Sequence, residues 1–420
     1  MIKDLIEQYE SSYCDIINLV ASENVSSDNV RYALQSDLNH RYAIPPKEER
    51  HPNIWEYPNQ DIVRQIVGET QKLACELFSA RHTDVCPLSG NQVADIMLSN
   101  LLSKGDSFLS FSAFNGGHFT TDVLANKYGF NRIDIPFNGS DIDIEAMATL
   151  VSEHDAKLVF LDASMVSIPF PVKEMRKALG DDVIISYDAS HSLGIIAGGA
   201  FQSPLTEGAD FLHGSTHKSL FGPQKAIIMS VHDMNSDLGS KIFNNIVPNF
   251  VSNAHAHHIA ALGIALEEHR DFGAQYAKNV VANAQHFAIE ATRHGIKIPN
   301  RRQGFTKNHQ LVIDCGNEAE ATQAFESLEI VGINTNMIKV PHTDGQRYGL
   351  RCGFSEVTRR MMDGNTVIHI ANLVADTILK KRPLRRIQDE VIAISQSHRE
   401  IGYTHGSLVA QNLAKIAENK

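Results

Sequence analysis

Two residues that follow separate apolar runs could together do amine–carbonyl chemistry. Lys218 ends the run His213-Gly214-Ser215-Thr216-His217-Lys218, which comes after the apolar pair Phe211-Leu212. Asp188, with Ala189, Ser190 and His191 behind it, ends the apolar run 183–187. A lysine amine can condense with an aldehyde. A carboxylate can keep a ring nitrogen protonated, so that the ring accepts electrons. Each residue alone has an ordinary explanation: an Asp at a strand end often caps a helix, a neighbouring His is usually structural, and a loop Lys is usually solvated. Their combination in a Gly/Ser/Thr/His run of low hydrophobicity, followed by Phe221-Gly222-Pro223, is harder to dismiss.

The pairing is what pyridoxal 5′-phosphate requires: Lys218 for the Schiff base and Asp188 for the pyridine nitrogen. A phosphate needs a cradle, and Ser89-Gly90-Asn91-Gln92 precedes an apolar helical pattern at Val93, Met97 and Leu101. Ser and Gly at a helix start offer free N–H groups and the positive end of the helix dipole. Asn115-Gly116-Gly117-His118 is a glycine turn that sets an imidazole at another strand end, where it could stack on a flat ring. Arg351, inside Gly349-Leu350-Arg351-Cys352-Gly353, sits in an apolar run. It is read either as a bidentate clamp on a substrate carboxylate or as a partner in an internal ion pair.

Open parallel sheets bind ligands beyond the C-terminal ends of their strands. The runs at 107–112, 158–162, 183–188, 211–214 and 226–231 are largely continuous Val/Ile/Leu/Phe stretches, which predicts strands covered on both faces. Helical spacing is read at 2–9, 60–79, 255–293, 318–328 and 364–380, with further strands at 310–315 and 350–353. The expected fold is α/β, with a mostly parallel central sheet, helices on both faces, and a smaller C-terminal α+β domain. The expected division is an N-terminal helix and arm over 1–40, a large cofactor-binding domain over 41–284, and a small domain over 285–420.

The 420 residues are 43% hydrophobic and 21% charged, with a net charge of −11. This is globular composition, and the acidic balance argues against a nucleic-acid partner. The cysteines Cys14, Cys75, Cys86, Cys315 and Cys352 are odd in number and not at metal-ligand spacing, so no metal site is expected and a reduced, cytoplasmic setting fits. Neither a signal peptide nor a membrane-spanning run is read.

Together these stretches resemble the serine hydroxymethyltransferase family of fold-type-I pyridoxal-phosphate enzymes. The resemblance runs from about Asn18 to Met362. It rests on Leu19-Val20-Ala21-Ser22-Glu23-Asn24, Ser89-Gly90-Asn91-Gln92, Gly116-Gly117-His118, Asp188-Ala189-Ser190-His191, Thr216-His217-Lys218 with Gly222-Pro223, and Leu350-Arg351-Cys352-Gly353 leading to Thr358-Arg359-Arg360. It implies Lys218 as the Schiff-base lysine, Asp188 at the pyridine nitrogen, His118 stacked on the ring, and His191 and His217 near it. Ser89, Gly90 and Asn91 would meet the phosphate, and Ser164 the phenolic oxygen. Ser22 and Arg351 would hold the substrate carboxylate. Tyr42, Ser252 and Asn253 resemble parts that reach a neighbouring subunit's site, which implies a homodimer with shared sites.

The departures bear on function. In the hydroxymethyltransferases a proton-handling glutamate follows the Tyr-Ala pair, and here that position is Ile44. A pterin-contacting asparagine aligns with Ile338, a glycine-rich phosphate loop is replaced by residues 249–253, and Gly-Pro-Arg becomes Gly222-Pro223-Gln224. Several replacements resemble the L-threonine transaldolases, relatives that work without folate. The resemblance thus implies cleavage and formation of the Cα–Cβ bond of a β-hydroxy-α-amino acid, with an amino acid and an aldehyde as small-molecule partners. His118, His191 or a water would be the base. A tetrahydrofolate-dependent hydroxymethyltransferase is the alternative, and a non-catalytic protein of this fold is disfavoured by the intact Lys218, Asp188, His118 and Arg351.

Overall fold

The apolar runs lie where a sheet covered on both faces requires them. In the strand Leu158–Leu161 every residue is fully buried, so neither face meets water. It belongs to a seven-stranded sheet with the order His82–Asp84, Ala226–Ser230, Phe211–Ser215, Ile184–Asp188, Leu158–Leu161, Ser107–Ser110, Asn131–Asp134. From Phe211–Ser215 to Asn131–Asp134 the strands are parallel. Ala226–Ser230 is antiparallel to both of its neighbours. Its direction follows from its connection: residues 216–225 are too few for a helical crossover, so the chain turns back on itself.

The computed structural model describes residues 1–46 and 55–407. The stretches 47–54 and 408–420, which fall within the expected large and small domains, lie outside the described residues. The chain divides into two compact units. Among the described residues the larger takes Ser26–Ser164, Pro169–Ala274 and the short stretch 404–407; it holds the seven-stranded sheet. From Ser107–Ser110 the chain goes first to one side, to Asn131–Asp134, and then to the other, to Leu158–Leu161. Such a reversal opens a crevice beyond the C-terminal strand ends.

The smaller unit takes Met1–Val25, Met165–Ile168 and Gln275–Tyr403. It has a three-stranded antiparallel sheet in the order Gln310–Gly316, Tyr348–Gly353, Asn336–Lys339. The helix Glu318–Ile330 contacts that sheet and starts at a reciprocal cap between Asn317 and Glu320. The N-terminal helix Ile2–Ser12 buries none of its residues. The long helix Ala256–Arg293 belongs to the larger unit up to Ala274 and to the smaller unit from Gln275.

Candidate active site

A cavity of about 280 Å³ lies at the strand ends of the larger unit. Ser89, Gly90, Asn91 and His118 line it from two helix starts, Asp188 from the end of its strand, and Ser164, His191, His217 and Lys218 from the loops that follow three strands. The volume is at the small end of ligand pockets, which run from roughly 300 Å³ upward.

The first wall is a helix N-terminus. Ser89 caps Gly90–Leu101 by accepting the Gln92 N–H at 3.3 Å. The opening N–H groups of such a helix have no carbonyl within it to bond, and the dipole adds positive potential there. A Cβ at Gly90 would stand 2.5 Å from Ser215 Oγ, so any larger residue there would have to turn that hydroxyl aside.

The Asp188 and Lys218 loops are tied together by strand register. Asp188 faces His213 across adjacent parallel strands, and the Ala189 N–H donates to His213 O at 2.7 Å. The Ser190 N–H donates to Asp188 Oδ1 at 2.8 Å, and the Ser215 N–H to Ser190 Oγ at 3.0 Å. Beyond the strand, Thr216 O accepts the Gly222 N–H at 2.8 Å, closing the loop that carries Lys218. Lys218 Nζ then lies 3.2 Å from His191 Nε2. Burial, helped by the Lys218 charge, pushes His217 down to about 4, so its ring is neutral near pH 7; its Nδ1 has no hydrogen-bond partner among the described residues. His213 is fully buried, meets Ser186 Oγ at 2.9 Å through Nε2, and is held below its usual pKa by that burial: a structural imidazole inside the strand.

The His118 turn is the third wall. His118 caps the helix Phe119–Tyr128, its Nδ1 accepting the Thr120 N–H at 3.3 Å, which assigns the ring proton to Nε2. Gly116 O takes two bonds from Ser164, from N at 2.8 Å and from Oγ at 3.1 Å. A Cβ on Gly117 would overlap the Phe111 carbonyl, so the turn depends on glycine at that point. Asp162, Thr121, Ser190 and Ser215 also line the cavity, and sequence reasoning did not assign them. Asp162 carries the same sequence signal as Asp188, an acid closing an apolar run. It is 3% exposed, and burial raises its acid to about 7 against hydrogen bonds from Thr121 and the Phe111 N–H.

Comparison with known proteins adds an independent observation. The family model of serine hydroxymethyltransferase matches residues 1–374. The chain belongs to the serine hydroxymethyltransferase family. Curated members include the Methanopyrus kandleri enzyme, 34% identical over 96% of this chain and 94% of its own length. Another is the Archaeoglobus fulgidus enzyme, 35% identical over 95% of this chain and 91% of its own. Both are named serine hydroxymethyltransferase. Among solved structures, the L-threonine transaldolase of Pseudomonas fluorescens superimposes with a TM-score of 0.91 at 27% identity, covering 98% of this chain and 96% of that one.

The chain is thus a fold-type-I pyridoxal-phosphate enzyme of the transferase class. Its cavity suits that cofactor in kind: an anion-ready helix start at Ser89 and Gly90, a neutral imidazole with an unused nitrogen, and an amine and a carboxylate on neighbouring strand ends.

The remaining residues assigned from the family resemblance lie elsewhere. Tyr42, 43% exposed, stacks on Tyr57 at 4.8 Å and does not line the cavity. Ser252 and Asn253 do not line it either; Asn253 Oδ1 accepts the Ala43 N–H at 3.3 Å. Ser22 and Arg351 belong to the smaller unit. Within that unit the Gly353 N–H donates to Leu19 O at 2.7 Å, which ties the segment before Ser22 to the strand that carries Arg351. Arg351 is buried, donates from Nε to Asn336 Oδ1 at 2.9 Å, and is pushed down to about 10 by that burial.

Proposed function

We propose that this enzyme works without folate, cleaving and forming the Cα–Cβ bond of a β-hydroxy-α-amino acid, L-threonine foremost, with an aldehyde as the other partner. The observation that carries the reading is Ile44. Its side chain is buried, its N–H donates to Gln60 Oε1 at 3.0 Å, and its carbonyl accepts from Arg64 Nε at 3.3 Å. An alkyl group packed at the position of the family's glutamate cannot transfer a proton. The likeness to the Pseudomonas transaldolase supports the same reading.

Bound in the cavity, pyridoxal 5′-phosphate supplies an aldehyde that captures amines and a ring that accepts the electrons of a broken bond to Cα. On this reading Lys218 offers the amine for the cofactor's aldehyde and Asp188 holds a proton at the pyridine nitrogen. Ser89, Gly90 and Asn91 hold the phosphate, His118 covers the ring face, Ser164 meets the phenolic oxygen, and His191 and His217 flank Lys218. Ser22 and Arg351 take the substrate carboxylate, which selects the bond to be broken. The β-hydroxyl proton goes to His118, His191 or a water. Tyr42, Ser252 and Asn253 serve a second copy of the chain, making the working form a homodimer. A reducing, cytoplasmic location fits the five cysteines, all of which are free thiols. No helix among the described residues is long and apolar enough to cross a membrane.

Folate-dependent hydroxymethyl transfer is the second reading, favoured by the names of the curated relatives. An acetaldehyde assay separates the two. L-Threonine is expected to be cleaved without tetrahydrofolate, and adding tetrahydrofolate is expected to leave turnover unchanged. Efficient, folate-dependent conversion of L-serine to glycine would establish the second reading instead.

A further inference from the structure

We propose that Asp162 is a positioning residue of the cofactor pocket, clamping the turn that carries His118 at both of its ends. Asp162 directly follows the buried strand Leu158–Leu161 and lines the cavity. Its Oδ1 accepts the Phe111 N–H at 3.2 Å, and its Oδ2 accepts the Thr121 hydroxyl. Phe111 and Thr121 bracket residues 112–120, the stretch that contains Gly116, Gly117 and His118. The next two residues hold the middle of the same stretch: Ala163 pairs with Gly117, and Ser164 bonds Gly116 O. One short segment thus grips the turn at its start, centre and end. A buried carboxylate is tolerated only where hydrogen bonds compensate it, and here both oxygens are spent on the two ends of one loop. A bond to a charged acceptor is about twice as strong as a neutral one, so the ionised acid is the tighter clamp. The other ionisable side chains on the cavity wall are His118, Asp188, His191, His217 and Lys218, and of these Asp188 adds a like charge that opposes ionisation of Asp162. The inference depends on the cofactor site alone and holds whichever acceptor the enzyme uses.

The test uses the full-length holoenzyme and reads the cofactor rather than turnover. Asp162→Asn keeps the shape but loses the charge and one acceptor. It is expected to weaken pyridoxal-phosphate binding roughly tenfold and to diminish the visible circular dichroism of the bound cofactor, which reports a fixed asymmetric setting. Combined with His118→Ala, it should weaken binding no further than His118→Ala alone, because both changes remove the same ring contact. Thr121→Val, which removes one of the two bonds, should show a smaller loss of the same kind, and Thr121→Ser should restore it; this pair decides the matter if Asp162→Asn does not fold. Cofactor affinity and dichroism equal to wild type in Asp162→Asn, or in Thr121→Val where that variant has to stand in, would overturn the proposal. So would strictly additive effects with His118→Ala.

Discussion

Gly214→Ala places a single methyl group where the Asp188 and Lys218 loops are knit together. Gly214 lies in the buried strand Phe211–Ser215, and a Cβ there would stand 2.7 Å from Ser190 N and 2.9 Å from Ser190 Cα. Both are backbone atoms, so no rotamer change relieves the contact. Real Cβ atoms are not found closer than 3.0 Å, and an ordinary contact begins at 3.4 Å. Ser190 must therefore move by about 0.3 to 0.7 Å, and it cannot move alone, because its N–H holds Asp188 Oδ1 and its Oγ holds the Ser215 N–H. Overpacking of this kind costs about 1–3 kcal/mol, which for a unit of this size lowers Tm by several degrees, roughly 2–4 °C per kcal/mol. A misplacement near 1 Å can cost about 10²-fold in rate, so a shift of half that suggests a loss on the order of tenfold in kcat for L-threonine cleavage. Pyridoxal phosphate should stay bound through the Ser89–Asn91 helix start, so the protein should remain yellow. The measurements are thermal unfolding, the visible cofactor band, and steady-state acetaldehyde release. Wild-type Tm together with wild-type kcat would refute the argument that Gly214 sets the spacing of the two loops.

Lys218→Ala should lose the covalent link to the cofactor while still retaining pyridoxal phosphate; borohydride reduction and peptide mapping of the wild type should label Lys218, and a label on another lysine would displace the assignment. Arg351→Lys keeps the charge but loses the planar fork that grips both carboxylate oxygens, so amino-acid affinity should fall with cofactor content unchanged, whereas unchanged affinity would leave Arg351 as an internal structural residue. If sites are shared through Tyr42, Ser252 and Asn253, activity should fall on dilution in step with the sedimentation-measured dimer fraction; full activity in a monomeric sample would reject sharing. His217 is pushed from 6.5 to about 4, so between those values the unfolded chain binds a proton that the folded chain does not, and stability falls as pH drops through the window. Wild-type Tm should therefore fall more than that of His217→Gln between about pH 7 and about pH 5, and parallel curves would contradict the half-buried, neutral assignment.

The site was legible in sequence where chemistry and strand order coincide. Asp188 closes an apolar run and Lys218 ends the polar run after another, and the parallel sheet brings both to the same cavity, so a one-dimensional reading picks them out as candidates. Ser89 and Gly90 announce themselves as a helix start. Asp162 carried the same local signal, yet its purpose depends on bonds to Phe111 and Thr121, 51 and 41 residues away. No periodicity reports such contacts. Ser164 is polar and follows a strand, but only resemblance singled it out. The antiparallel course of Ala226–Ser230 was likewise hidden in composition, since its residues are as apolar as those of the parallel strands; only the short connection from Phe211–Ser215 encodes it.

The positions that depart from the hydroxymethyltransferase pattern share a physical property. Ile44, Gln224 and the 249–253 segment belong to the larger unit, and none of them lines its cavity. Ile338 belongs to the smaller unit, on an outer strand of its three-stranded sheet. Around the cavity, by contrast, Gly117 and Gly214 are packed against backbone atoms that leave no room for an added Cβ. Changing one of those disturbs several loops together. Changing Ile44 or Gln224 disturbs none of the hydrogen bonds that set Asp188, Lys218 or the His118 turn. Changes at those positions can therefore leave the cofactor chemistry fixed, which is what the folate-free reading proposed above requires.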